Sequence, residues 1–328
     1  MNRKVSLSIA MVAAGLAAAA CGSDTGPASD IAQVRVMHAR SGAPAIDLLV
    51  EGTAVVQGLE FARTSAFVLP SRRADAAWRL RIFTPRIELP FAGHPTIGAA
   101  RLLADLGMVQ RAADAAQFAL EEEAGLVPVR VRYGAGAEPV GDLTAARLPV
   151  RGPDAPAVPL LAGMLGIDAR DIDTSAGGPA AWSAGVAFLF VPLRSTDALA
   201  RARIDLDRWR ALLAEWWAGH LYLFVPATTA GEVRARMFAP AMGIAEDPAT
   251  GAAAAAIAGL LADTAPAGDD TLRWTIRQGV EMGRPSLLAV EADRAGNRLT
   301  EVRVGGASVR IGDGVLRLER DLLTPLTR

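Results

Sequence analysis

FAGHPTIGAA, residues 91–100, has a near-echo far downstream in EDPATGAAAA, residues 246–255. Setting His94-Pro95-Thr96-Ile97-Gly98-Ala99-Ala100 over Asp247-Pro248-Ala249-Thr250-Gly251-Ala252-Ala253 matches four of seven positions. The likeness is wider than that window. Arg81-Ile-Phe-Thr-Pro85 precedes the first copy and Arg236-Met-Phe-Ala-Pro240 the second, at offsets of 155 and then 153 residues. Alanine-rich composition explains matching alanines, but not Arg, Phe, Pro, Pro and Gly recurring in order. The pattern predicts two similar units produced by an internal duplication, each a strand, a loop and a proline-started helix.

In this register each unit sets a titratable side chain, His94 or Asp247, just before a helix N-terminus. The first-turn N–H groups there lack partners and the helix dipole favours negative charge. Gly98 and Gly251 allow close backbone approach. Two such ends facing one another would hold a small carboxylate, with His94 and Asp247 placed to move a proton. Asp247 alone is also compatible with a plain N-cap, and His94 with an ordinary capping residue.

Composition narrows the chemistry. The chain has 328 residues, 51% of them hydrophobic, and a formal net charge of −1. At about 150 residues per domain, two domains are expected. The near-neutral balance and the lack of basic runs argue against a nucleic-acid partner. Lys4 is the only lysine, which excludes a Walker loop and leaves no Schiff-base lysine in the body of the chain. Cys21 is the only cysteine, so there is no disulfide framework. His38, His94 and His220 are far apart and none has a second ligand at metal spacing. Acid–base chemistry without metal or cofactor remains, or binding alone.

The start of the chain reads as an export signal: Arg3 and Lys4, an apolar run from Val5 to Ala20, then small residues up to Cys21. The run is shorter than the ~20 residues of a membrane span. Small residues before a lone cysteine resemble a bacterial lipoprotein signal, in which Cys21 carries the lipid and the following residues to Asp30 are a tether. An exported, lipid-anchored protein is therefore expected, touching a membrane only through Cys21.

Strands are expected at 33–38 and 45–50, paired through ARSGAP, and at 66–70, 78–85 and 126–134. A helix is expected from Pro95 to Gly107. Three prolines in RGPDAPAVP (151–159) mark a boundary, giving a leader over 1–30, an N-terminal domain over 31–150 and a C-terminal domain over 151–328. In the second half, strands are expected at 186–193, 220–227, 233–240, 272–283 and 287–293, with helices at 205–219 and from Asp247 to Asp263. Trp209, Trp216 and Trp217 read as helix packing rather than a base-stacking platform.

RIFTPRIELPFAGHPTIGAARLL (81–103), EDPATGAAAAA (246–256) and QGVEMGRPS (278–286) together resemble the PhzF-like family, named for phenazine biosynthesis, from about Phe67 to the C-terminus. The resemblance implies an α+β fold like that of diaminopimelate epimerase, with two domains, each a curled β-sheet around a central helix. It implies a site between them, usually a homodimer, and a cytoplasmic location as the alternative to export. Members are cofactor-independent isomerases, and the best known shifts a proton within trans-2,3-dihydro-3-hydroxyanthranilate. Diaminopimelate epimerases use paired cysteines, which this chain lacks.

Carried over by residue, the family's G-H-P is Gly93-His94-Pro95 and its D-P-A-T-G is Asp247 to Gly251. The resemblance makes His94 and Asp247 catalytic candidates. It places Gly93, Thr96, Gly98, Thr250, Gly251 and Ala252 against a small carboxylate, dihydro-hydroxyanthranilate-like or amino-acid-like. Two departures stand out. The serine after the family's glycine is Ala252 here. The family's base, a glutamate in S-E-T-[TA]-F, is replaced by Thr64 in Arg63-Thr64-Ser65-Ala66-Phe67. A threonine hydroxyl does not accept a proton near neutral pH without a strong neighbouring base, so Glu60 is the candidate substitute. An inactive carboxylate-binding or exported interaction protein on the same scaffold is the alternative. VRVMHARSGAPAIDLLVEGTAVVQGLEF, with the leader before it, resembles instead the start of a secreted bacterial lipoprotein family with a small β-sandwich. Too short to fold alone, it reads as an exported leader fused to a PhzF-like body, with an extreme variant of the family as the alternative.

Overall fold

In the computed structural model, residues 65–84, 87–134, 138–226, 231–296, 298–308 and 310 are described in full, with the backbone alone of strands 10–12, 34–35, 45–50, 53–60 and 315–316. Cys21 and Thr64 lie outside the described residues, as does the side chain of Glu60.

The first half contains strands β1 (Ser65–Leu69), β2 (Trp78–Phe83) and β3 (Glu88–Leu89), helix α1 (Gly93–Asp105), then β4 (Ala115–Glu122), β5 (Gly125–Arg132) and β6 (Val140–Thr144). The second half opens with β7 (Val150–Asp154), α2 (Val158–Leu165), β8 (Ala180–Ser183), β9 (Ala187–Pro192), α3 (Thr196–Arg201) and α4 (Leu206–Leu213). It continues with β10 (His220–Pro226), β11 (Glu232–Ala239), β12 (Ile244–Asp247), α5 (Gly251–Asp263), β13 (Thr271–Gln278), β14 (Ser286–Ala295) and β15 (Arg298–Ala307).

One mixed sheet runs through both halves in the order β1-β2-β4-β5-β6-β15-β14-β13-β11-β10-β9-β8-β7, with β3 on β2 and β12 on β11. The halves meet where β6 pairs with β15, Gly141 opposite Gly306 and Leu143 opposite Val304. The backbone of Ala10–Val12 runs parallel to Ala66–Val68 at the β1 edge. α1 packs on β5 and β6, and α5 on β14, β15 and β8. Both helices lie in one buried apolar cluster. α5 is buried all round, from Gly251 to Gly259, as expected of a helix with no polar face. A second cluster, including Leu161, Leu165, Leu199 and Trp209, forms where α2, α3 and α4 cover the other face of β9 and β10.

Several sequence expectations change here. Residues 45–50 pair with Thr53–Glu60, not with 34–35, which pairs with 315–316. The boundary drawn at 150/151 falls inside β7, whose partner is β8. Both central helices also start elsewhere than their prolines suggest. α1 begins at Gly93, so His94 is its second residue, and α5 begins at Gly251, four residues after Asp247.

These starts place the echo in a different register. Arg81 and Arg236 still correspond at an offset of 155, but Glu88 and Glu246, Gly93 and Gly251, and Asp105 and Asp263 all correspond at 158. The extra residues lie around the short turn Pro240–Met242 before β12. In this register His94 matches Ala252 and Asp247 matches Leu89, so the two titratable residues are not counterparts.

The repeated unit has a clear physical content. Arg81 forms a two-pronged bond with Glu88 at 2.8 and 2.7 Å and lies 4.9 Å from the Phe83 ring centre. Arg236 bonds Glu246 through two contacts of 2.9 Å and lies 4.7 Å from the Phe238 ring centre. In each half a guanidinium thus clamps the return strand that leads into the central helix. The second clamp is the more buried, and Arg236 also donates to the carbonyls of Leu199 and Ala202 at the end of α3.

Candidate active site

The two helix starts touch through glycines. A Cβ on Gly93 would lie 2.5 Å from Gly251 Cα, and one on Gly251 would lie 2.6 Å from Gly93 Cα. Both helices therefore begin at one point, with their unpaired first-turn amides on either side of it. Gly98, expected to be the residue of close approach, has no atom within 4 Å of where its Cβ would stand. The glycine requirement is met by Gly93 instead.

Asp247 ends β12 and is buried. It is not the cap of α5; Thr250 holds that position and makes no side-chain capping bond. Thr250 Oγ1 instead donates to Asp247 Oδ2 at 2.6 Å. Gln278, the last residue of β13, holds this turn. Its Nε2 donates to the Asp247 carbonyl at 2.7 Å and to Thr250 Oγ1 at 2.9 Å. Its Oε1 accepts from the Thr250 amide at 3.3 Å and from the Tyr222 hydroxyl at 3.0 Å. All four hydrogen-bonding positions of the amide are used, which fixes its orientation and the direction of each proton in the chain. Only Oδ2 of Asp247 is engaged by this network.

Burial and the negative charge of Asp247 together push the Tyr222 phenol far above its usual range, so it is a donor and not a base. Tyr222→Phe removes one donor but leaves Gln278 Oε1 its Thr250 partner. It is expected to cost about 1 kcal/mol in urea unfolding and to leave any turnover within a few-fold of wild type. A loss of activity larger than the loss of stability would assign Tyr222 a role in proton transfer.

Gly279 follows at φ 79, and a Cβ there would meet Arg284 O at 2.3 Å and Pro248 O at 2.9 Å. The turn at 278–279 is thus seated directly on the Asp-Pro turn. Of the other expected site residues, His94 is exposed in the first turn of α1. Ala252 is buried in the first turn of α5. Thr96 is fully buried and turned into the core, where its hydroxyl lies 2.5 Å from Glu122 Oε1 and 2.7 Å from the Ala92 carbonyl. It is therefore a structural partner of Glu122 in this structure rather than an open contact for a ligand.

Gln278, Tyr222 and Glu122 carried no assigned role in the sequence reading. Strand alternation is the signal that locates two of them: Gln278 shares a buried face with Ile276, and Glu122 shares one with Leu120. Among the described residues, no three His, Cys, Asp or Glu side chains converge as a metal site.

This architecture, two helix-centred halves on one sheet meeting at their helix N-termini, is the diaminopimelate-epimerase-like fold, an α+β class of isomerases and epimerases. Residues 57–314 match the model of the phenazine biosynthesis-like protein family, PhzC-PhzF, and the chain belongs to that family. The match covers Glu60 and Thr64 and begins ten residues before Phe67. A protein of Mesorhizobium japonicum named as an isomerase is 36% identical over 258 residues, 77% of this chain and 84% of that one. The trans-2,3-dihydro-3-hydroxyanthranilate isomerase of Pseudomonas fluorescens is 33% identical over 257 residues, with the same two coverages. The solved structure of a predicted epimerase from Pseudomonas aeruginosa superposes with a TM-score of 0.62 at 29% identity, over 77% of this chain and 84% of that chain.

Proposed function

We propose that the protein moves a proton within a small carboxylate, dihydro-hydroxyanthranilate-like or amino-acid-like, without a cofactor. The observation that carries this reading is the meeting of three separate sequence segments at one point. The Gly93 and Gly251 helix starts abut, and the Gln278–Gly279 turn fixes Asp247 beside them. In this reading the first-turn amides of α1 and α5 take the substrate carboxylate. Asp247 and His94 flank the carbon skeleton, one buried and oriented, the other open to solvent. Glu60 is the candidate to accept the first proton. Similarity to the Pseudomonas fluorescens isomerase supports the substrate class.

Thr64 favours a second reading, a protein that binds the carboxylate and does not turn it over, because the family resemblance sets this threonine against the glutamate base of S-E-T-[TA]-F. Deuterium uptake from solvent into trans-2,3-dihydro-3-hydroxyanthranilate, followed by NMR for wild type and Thr64→Glu, separates the two. Exchange by the wild type supports the isomerase, with Glu60 or His94 as base. Exchange only by the substituted protein assigns the wild type to binding.

We also read the two R-x-F…E-x-P-x-x-G units as products of an internal duplication, on their shared 158-residue offset and matching Arg–Glu clamps. The working form is taken as a homodimer. The leader through Cys21 is taken as an export and lipidation signal fused to this body. Mass spectrometry of the membrane fraction for a lipidated Cys21 tests that assignment.

A further inference from the structure

Glu122 ends β4 against the first turn of α1 and is 5% exposed. Thr96 has a single hydroxyl proton, yet its oxygen lies within bonding distance of two acceptors, Glu122 Oε1 and the Ala92 carbonyl. It donates fully to only one of them. Both contacts are satisfied when Thr96 donates to Ala92 and the Glu122 carboxyl, itself protonated, donates to Thr96. The second carboxyl oxygen, Oε2, is buried with no hydrogen-bond partner, so a negative charge there has no donor to receive it. Burial raises the carboxyl to about 8, against the opposing pull of the Thr96 bond and of a backbone bond from Ala92.

The charged groups around it include several that are engaged elsewhere. Glu121 takes Ser71, the Arg72 amide and Arg79. Glu123 acts on Arg81, which is clamped to Glu88. On α1, Arg101 pairs with Asp105 at the far end, and His94 is exposed in the same turn as Ala92. None of these contributes to the Glu122 shift.

We infer that Glu122 decides whether the α1 end of the site accepts an anion. As a neutral acid it leaves the helix N-terminus positive; as a carboxylate it occupies that potential and repels a second negative charge. The inference rests on the proposed role of the α1 first turn in holding the substrate carboxylate. It makes Glu122 a positioning residue for that carboxylate, acting through the charge of the helix end, and by reciprocity a bound anion keeps the proton on Glu122.

The test uses anthranilate, which stays a monoanion across the range, with the full chain as wild type and as Glu122→Gln. Calorimetric affinity is measured at pH 7 and pH 9.5. About tenfold weaker binding by the wild type at the higher pH is expected, with less than about twofold change in the variant. No anthranilate binding by the wild type at either pH overturns the inference together with the carboxylate-site reading. Binding that is independent of pH in the wild type, or equally dependent in both proteins, overturns the role of Glu122 alone. Should the variant not fold, infrared spectroscopy of the wild type decides. A protonated-carboxyl stretch present at pH 7, lost by pH 9.5 and retained to higher pH with anthranilate is expected; its absence at pH 7 overturns the inference.

Discussion

Replacing Glu122 by glutamine is expected to raise stability, and by more as the pH rises. An unfolded glutamate loses its proton near pH 4.3, whereas in the folded protein burial holds it on until about 8. Between those values the native state carries a proton that the unfolded state has released. Wild-type stability therefore falls through this window, at up to about 1.4 kcal/mol per pH unit, and this contribution is level above it. Glutamine keeps a donor for Thr96 and does not titrate. The variant is expected to exceed the wild type by on the order of 3 kcal/mol at pH 7 and 4–5 kcal/mol at pH 9. Urea unfolding at pH 5, 7 and 9 checks this, and a constant difference across the three would show that Glu122 ionises normally.

Alanine at Gly251 is expected to destabilise the fold by about 2–3 kcal/mol. The added methyl would sit 2.6 Å from Gly93 Cα and 3.3 Å from its carbonyl carbon, both backbone atoms that no rotamer change can move. The helix starts must separate, against the packing of both helices on the shared sheet. Gly93→Ala meets the same obstacle from the other side. The double variant is expected to cost less than the two single changes together, because one separation makes room for both methyls. Gly98→Ala, with open space at the same distance, is the control and is expected to be neutral or stabilising by up to ~1 kcal/mol. Similar losses at Gly98 and Gly251 would remove the close contact as the cause. Because the same contact sets the spacing of the proposed carboxylate grip, ligand affinity should fall with stability at positions 93 and 251 and not at 98.

Much of the fold was legible because strand periodicity and R-x-F-x-P recur at long range. The register of the repeat was not. Aligning Pro95 with Pro248 pairs the prolines nearest each glycine-alanine run, but the structure pairs Pro90 with Pro248, since both precede the glycine at which a helix begins. Matching by helix start also aligns Leu-Leu-Ala-Asp at 102–105 with 260–263, a likeness obscured by the alanine run between. At the candidate site the Asp247 motif stands out in the sequence, while the residues that hold that turn, Tyr222 and Gln278, come from strands far apart in sequence. Three consecutive glutamates at 121–123 do not announce that the middle one is buried. That follows only when β4 is placed against α1 and alternation turns Glu122 inward.

The pairing of β6 with β15 constrains the order in which the chain can mature. As the protein leaves the ribosome, residues 140–144 emerge long before their partners at 298–307. Until those arrive, the first half has an unpaired edge, an invitation to wrong partners. A nascent chain stalled before residue 298 should therefore associate with chaperones or aggregate, and emergence of residues 298–307 should be the step that relieves this. The first half, although made first, is completed only together with the second.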